Sequence, residues 1–191
     1  MSGASPLIAF LDASVLYPAQ LRNFLMHLAR RDLLQARWST HVHNEWIEAL
    51  LRNRPDLTAT QLYRTRRLMN EHIDDALVNG YEHIIGRLSL PDANDRHVLA
   101  AAIHCGAGVI VTVNLRDFPA DVLARHGVEA LHPDGFIRGL LNEGPDNVVA
   151  AFRAQQATLK NPPLSMDQLL ALFERYGLVE TVSELRRLMG S

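Results

Sequence analysis

Residues 108–119 read GVIVTVNLRDFP, and the reading of the whole chain turns on how this stretch ends. Val109, Ile110 and Val111 form a β-branched apolar run of the kind that fills a strand buried on both faces. The run then gives way to Thr112, Asn114 and Asp117, and Pro119 closes it. A buried strand that finishes in polar groups and a carboxylate either meets an ordinary turn or carries chemistry to the edge of a sheet. The other acidic residues decide between the two.

Composition narrows the field first. A chain of 191 residues can bury a core as one domain with a small appendage. Hydrophobic residues make up 48% and charged residues 21%, which fits a globular protein. A net charge of −2 gives no global field that would draw in nucleic acid, so any such contact must be local. No leader pattern and no membrane-spanning apolar stretch is read in the sequence. The one cysteine, Cys105, cannot make an internal disulfide, so a cytoplasmic location is expected.

Outward from the strand at 109–113, strand and helix patterns alternate. LIAFLD (7–12) is a short apolar run ending on Asp12, and a helix is predicted from Pro18 to about Arg31. An extended stretch at 34–38 precedes a helix capped by Thr40. Pro55 ends that helix, and another runs from Thr58 to about Leu77. Tyr81–Leu88 reads as extended, 95–106 and 120–126 as helices, 128–131 as a last strand, and 134–142 as the start of more helix. This alternation predicts an α/β fold whose mainly parallel central sheet is covered on both faces. After Gly144–Pro145 the strands stop. Residues 146–160, 165–176 and 179–189 read as three helices, so we divide the chain into a domain at 1–144 and a helical C-terminal extension at 145–191.

Ligands of open α/β sheets sit beyond the carboxyl ends of the strands. Asp12 ends the first strand and Asp117 follows the strand at 109–113, so the two are expected on one edge. Asp12 could equally cap the following helix. Glu45 lies beside the apolar stripe of Val42, Trp46, Ala49 and Leu50, whereas Glu48 faces Arg52 four residues on as an ordinary exposed pair. In PDANDRHVLAAAI (91–103), Asp95 shares the inward face with Val98, Leu99, Ala102 and Ile103, while Arg96 and His97 are expected to point elsewhere. An acid in a first turn also favours the helix dipole, and Asp92 or Asn94 could be the cap. Each acid alone has a structural explanation. Together they are harder to explain, because two carboxylates 4 Å apart repel by roughly 4 kcal/mol even at an effective dielectric of 20. A cation must offset that, and oxygen-only ligands favour Mg²⁺ or Mn²⁺ over zinc.

Four separated elements, LDAS (11–14), HNEW (43–46), NDRHVLAAAI (94–103) and VTVNLRDF (111–118), stand in the order found in the PIN-domain family, and the chain most resembles its VapC-type toxins over about residues 6–142. The resemblance implies a three-layer α/β/α sandwich and a metal-dependent endoribonuclease using Mg²⁺, with Mn²⁺ as a substitute. It also implies RNA as substrate, a cognate antitoxin as partner and a homodimer. It carries the catalytic and metal-binding roles onto Asp12, Glu45, Asp95 and Asp117, with Thr112 and Asn114 lining the site and Asp92 as a further acid able to share it. Arg64, Arg66, Arg67, Arg96 and Arg116 are candidates for the RNA backbone, although a solvated helix face accounts better for the run at 64–67.

Other readings fit less well. A phospho-acceptor receiver needs a lysine near its acids, and Lys160 lies far away in the extension. A haloacid-dehalogenase-like phosphatase needs a second acid two residues after the first, where Ser14 stands. Glycine patterns for nucleotide phosphates are absent. His41, His43 and Glu45 alternate around a helix axis, which argues against zinc. A PIN-like domain that has lost catalysis and acts as a binding module is the remaining alternative.

Overall fold

The computed structural model describes residues 6–190. Five parallel strands, β1 (Ile8–Leu11), β2 (Gln35–Ser39), β3 (Leu77–Val78), β4 (Val109–Val111) and β5 (Glu129–Leu131), lie in the order β3-β2-β1-β4-β5. The apolar runs take the centre. Ala9–Leu11 and Val109–Val111 are wholly buried, while the edges are a two-residue strand and one that opens on exposed Glu129.

Parallel neighbours require crossovers, and helices supply them. After β1 come α1 (Ala13–Leu16) and α2 (Ala19–Ala29). After β2 come α3 (Thr40–Asn53) and α4 (Ala59–His72). The return from β3 to β4 carries α5 (Glu82–Ile85) and α6 (Arg96–His104), and α7 (Ala120–Ala124) leads on to β5. The chain thus winds outward from β1 to β3, then passes back across β1 to β4 and β5. Right-handed crossovers in opposite directions place helices on opposite faces, giving the expected α/β/α sandwich. The reversal falls between β1 and β4, the point where such sheets open a crevice.

Local chemistry explains the helix starts. The Ser39 hydroxyl accepts from the Val42 amide to cap α3, and Thr58 forms a reciprocal capping box with Gln61 at the start of α4. Three expectations need correction, the first being the cap of α3, which is Ser39 and not Thr40, the first residue of the helix. The helix predicted to reach Leu77 stops at His72, because Ile73 turns extended, Asp75 takes a φ of 56°, and Leu77–Val78 is drawn into pairing with β2. Residues 81–88, expected to be extended, contain α5 instead. Tyr81, Ile84, Ile85 and Leu88 recur at helical spacing, and all four pack on the core.

Beyond β5 the chain is helical: α8 (Pro133–Glu143), α9 (Pro145–Thr158), α10 (Met166–Arg175) and α11 (Val179–Met189). These helices share the hydrophobic core of the sandwich. Phe24 of α2, Phe152 of α9 and Phe173 of α10 meet with centroids 5.5, 5.4 and 5.3 Å apart, in edge and tilted contacts that suit aromatic quadrupoles. The start of α11 is capped from another helix, with Asp134 of α8 accepting from the Thr181 amide at 2.8 Å and the Glu180 amide at 3.0 Å. No helix among the described residues is long and apolar enough to cross a membrane.

Because the extension and the sheet share one core, urea unfolding followed by fluorescence and by circular dichroism is expected to give one coincident transition. Phe173→Ala should lower its stability by about 3–5 kcal/mol and Asp134→Ala by about 1–2 kcal/mol. Two separated transitions would contradict the shared core.

Candidate functional site

The β1–β4 register pairs Leu11 with Val111, which sets Asp12 beside Thr112 one residue further along each strand. The Asp12 amide still donates to the Val111 carbonyl at 3.1 Å, so the backbone under the carboxylate belongs to the sheet. The carboxylate is 6% exposed and densely held. Asp12 Oδ1 accepts from the Ala13 amide at 2.8 Å, capping α1, and Oδ2 accepts from Ser14 Oγ at 2.7 Å and Thr112 Oγ1 at 2.8 Å. The capping role and the strand-end position therefore coexist in one residue. Thr112 Oγ1 and Ser14 Oγ in turn accept from the Asn114 and Val113 amides, tying the loop after β4 to Asp12.

Glu45 projects from α3 and Asp95 ends the 3-10 turn that leads into α6. Asp12, Glu45 and Asp95 line a cavity of about 420 Å³ together with Tyr17, Trp46 and Asn114. Asp117, half-buried on a second 3-10 turn, does not line that cavity but acts on it through its charge. Burial, followed by the charges of Asp12, Asp117, Asp92 and Glu45, pushes the Asp95 carboxyl up to about 6. Asp92 is exposed and caps the Asp95 turn by accepting from the Asn94 amide. All the acids singled out in the sequence thus bear on one point, three as walls and two as field.

Glu45 brings in partners that the sequence did not indicate. His97, expected to point outward, is 3% exposed, and its Nε2 lies 2.8 Å from Glu45 Oε1. The reason is that Val98–Ala102 are all buried, so α6 has no solvent face there. His41 stacks on His97 at 3.7 Å with the rings 3° from parallel, and its Nε2 is 3.8 Å from the same oxygen. Burial and the neighbouring His97 lower the His41 pKa. His43, by contrast, turns inside to meet Asn70 and Trp46. His41, Glu45 and His97 present three ligand atoms within 4.8 Å of one another. A metal-bound imidazole normally donates its other N–H to an acceptor, yet His97 Nδ1 is buried without a partner. The pair therefore fits a brace, with Nε2–H donating to Glu45, better than a nitrogen-ligated metal centre. Glu48 is exposed and forms no ion pair with Arg52 among the described residues. Arg64 and Arg67 are exposed on α4, and the Arg66 guanidinium lies 5.0 Å from the Tyr63 ring centre.

The geometry is a strand-end acidic pocket at the reversal of a parallel sheet. The profile of the PIN domain matches residues 9–116. The chain belongs to the PIN-domain family. C-terminal to the PIN match, the profile of the VapC50 C-terminal domain matches residues 133–187. The chain is also similar to a protein of Mycobacterium tuberculosis (strain ATCC 25618 / H37Rv) named "Putative ribonuclease VapC50". The two are 36% identical over 117 residues, which is 61% of this chain and 68% of that protein. No solved structure matches significantly. The acids of this PIN domain form an oxygen-only donor set with more negative charge than its surroundings balance, which fits a hard divalent cation.

Three outcomes follow for the PIN domain. Since the Asp95 pKa is raised, the folded protein holds a proton there that the unfolded chain has released. That contribution to stability is full below the unfolded value of about 3.8 and is lost as pH rises through about 6. In metal-free protein, Asp95→Asn should therefore melt higher than wild type above pH 6, with the gap closing towards pH 4. Mg²⁺ should raise the wild-type melting temperature more at pH 7.5 than at pH 5, because binding requires the ionised acid. A gap of opposite sign would show that ionised Asp95 is already balanced by the protein. Thr112→Val removes a donor from a buried carboxylate and should cost about 1.5–3 kcal/mol in denaturant unfolding.

Proposed function

We propose that this protein is a metal-dependent endoribonuclease that hydrolyses RNA phosphodiester bonds, the toxin of a toxin–antitoxin pair. The observation that carries this reading is the convergence of Asp12, Glu45 and Asp95 on one cavity at the sheet reversal, with Asp117 charging it from the next loop. The name of the mycobacterial relative supports the ribonuclease assignment, and the antitoxin partner comes from the toxin family that the chain resembles.

Asp12, Asp95, Asp117 and Glu45 would hold Mg²⁺, or Mn²⁺ in its place. When bound, such an ion supplies Lewis-acid activation of water and neutralises charge at the phosphoryl oxygens. The chain's own groups do the rest. Ser14, Thr112 and the Ala13 amide fix both oxygens of Asp12, so the carboxylate does not reorganise when a cation arrives. His97 engages Glu45 Oε1, and no hydrogen bond is made to Oε2 among the described residues. Asn114, on the cavity wall, offers an amide for a phosphate or sugar oxygen. Without a cation the pocket repels a polyanion, so metal enters before or with RNA.

A division near residue 144 belongs to this reading, with residues 1–144 carrying the chemistry and residues 145–191 buttressing α2 and α8. Cleavage of a mixed RNA pool by purified, antitoxin-free protein, with Mg²⁺ or Mn²⁺ against EDTA, tests the proposal. Metal-dependent cleavage should fall at least 100-fold in Asp95→Asn. No cleavage by folded protein with either ion would overturn it in favour of a binding module.

A further inference from the structure

Arg22 is the residue this nuclease reading leaves unexplained. It sits on α2 among Leu21, Phe24 and Leu25 and is 6% exposed, yet no carboxylate lies within ion-pair distance of it among the described residues. Nη1 donates to the Leu16 carbonyl at 2.6 Å, the guanidinium carbon lies 4.7 Å from the centre of the Trp46 ring, and Nε is buried with no partner. These contacts orient the group without neutralising it. A buried cation without a counter-charge is costly, and a perturbed ionisable group that lines a cavity is a candidate functional residue. Burial lowers its pKa only to about 10, so the group keeps its charge at neutral pH.

Arg22 lines a cavity of about 580 Å³, within the range of small-molecule sites. Gln61 and Thr65 of α4 add polar groups, and Tyr17 and Tyr176 add aromatic surface, whereas Arg54 on the same wall is already paired with Asp56 at 2.6 Å. Tyr17 also lines the acidic cavity, and so does Trp46, the ring against which Arg22 rests. The two cavities therefore share a wall. An RNA strand crossing the acidic site would carry its next nucleotides along that wall.

We propose that the Arg22 cavity is a nucleotide subsite of the enzyme, binding the phosphate of a nucleotide that flanks the cleaved bond on Arg22 and its base against Tyr17 and Tyr176. The proposal rests on the ribonuclease reading for its physiological ligand. It gives the C-terminal helices a part in substrate binding, because Tyr176 closes α10. Arginine suits the task, since its planar fork matches phosphate and its charge survives burial. Aromatic walls accept any base, so the subsite would position RNA with little sequence preference.

The test separates this subsite from the nuclease site. Adenosine 5′-monophosphate, inorganic phosphate and adenosine are titrated into the full-length protein in EDTA, where the acidic pocket repels anions. The nucleotide is expected to bind more tightly than either fragment, equally well in wild type and Asp95→Asn, and not measurably in Arg22→Met. Replacing an unpaired buried charge by an apolar chain of similar length should leave the protein folded. Should Arg22→Met fail to fold, Tyr176→Leu is expected to weaken nucleotide binding about 10-fold through lost stacking. In RNA cleavage, Arg22→Met should raise KM by more than 10-fold, and by a larger factor than it lowers kcat. No nucleotide binding to wild type, or binding untouched by Arg22→Met or, in its place, Tyr176→Leu, overturns the subsite and leaves Arg22 a strut for α1. Nucleotide binding without any RNA cleavage would instead retain the subsite and remove the nuclease reading.

Discussion

The hydrogen bond from Thr112 to Asp12 is the joint on which the site depends. It spans the two strand ends at which the sheet reverses direction, and it exists because the β1–β4 register brings residues 12 and 112 level. A slip of one residue would turn Asp12 to the opposite face and leave a carboxylate under a layer of helices. That register is enforced by the burial of Phe10, Leu11, Ile110 and Val111. The apolar core thus fixes a polar geometry it does not touch. The same logic reaches Glu45, held by a histidine that is buried because α6 has no outward face at that point.

The parts of this arrangement that could be read from sequence were those encoded by period and position. A β-branched run ending in polar residues located the β4 edge, and the placement of Asp95 among the apolar positions of 95–106 put it on the inward side. What escaped reading was set by packing between elements distant in the chain. An amphipathic pattern places His97 outward, whereas α6 is buried between the sheet and its neighbours. The segment at 81–88 is too short for its period to outweigh its β-prone residues, and only its contact with the core turns it into α5. Arg22 gave no sign of burial, since a lone arginine in an amphipathic helix ordinarily snorkels to water.

The first acidic loop is linked to the C-terminal helices through α2. Charges of one sign held in place exert a steady outward force on the elements that carry them, and those elements need support from behind. The short α1 begins on Asp12 itself, and α2, directly after it, is backed by α9 and α10 through the Phe24, Phe152 and Phe173 cluster. The extension therefore bears on the rigidity of the first acidic loop even where it does not reach the pocket.

The Leu16 carbonyl lies at the end of α1, and Arg22 donates to it, so the short helix is held between Asp12 at its start and Arg22 at its finish. Asp12 is a carboxylate and Arg22 a guanidinium, and neither has an ion-pair partner among the described residues. A divalent cation at one end and a phosphate at the other would complete both matches at once. An RNA strand entering with its metal ion supplies both charges, whereas a free anion or a free cation supplies one. On this view α1 is the short strut between two half-completed ion pairs. In the proposed complex each ligand would bind at its own end of α1, and RNA accompanied by a divalent cation would fill both.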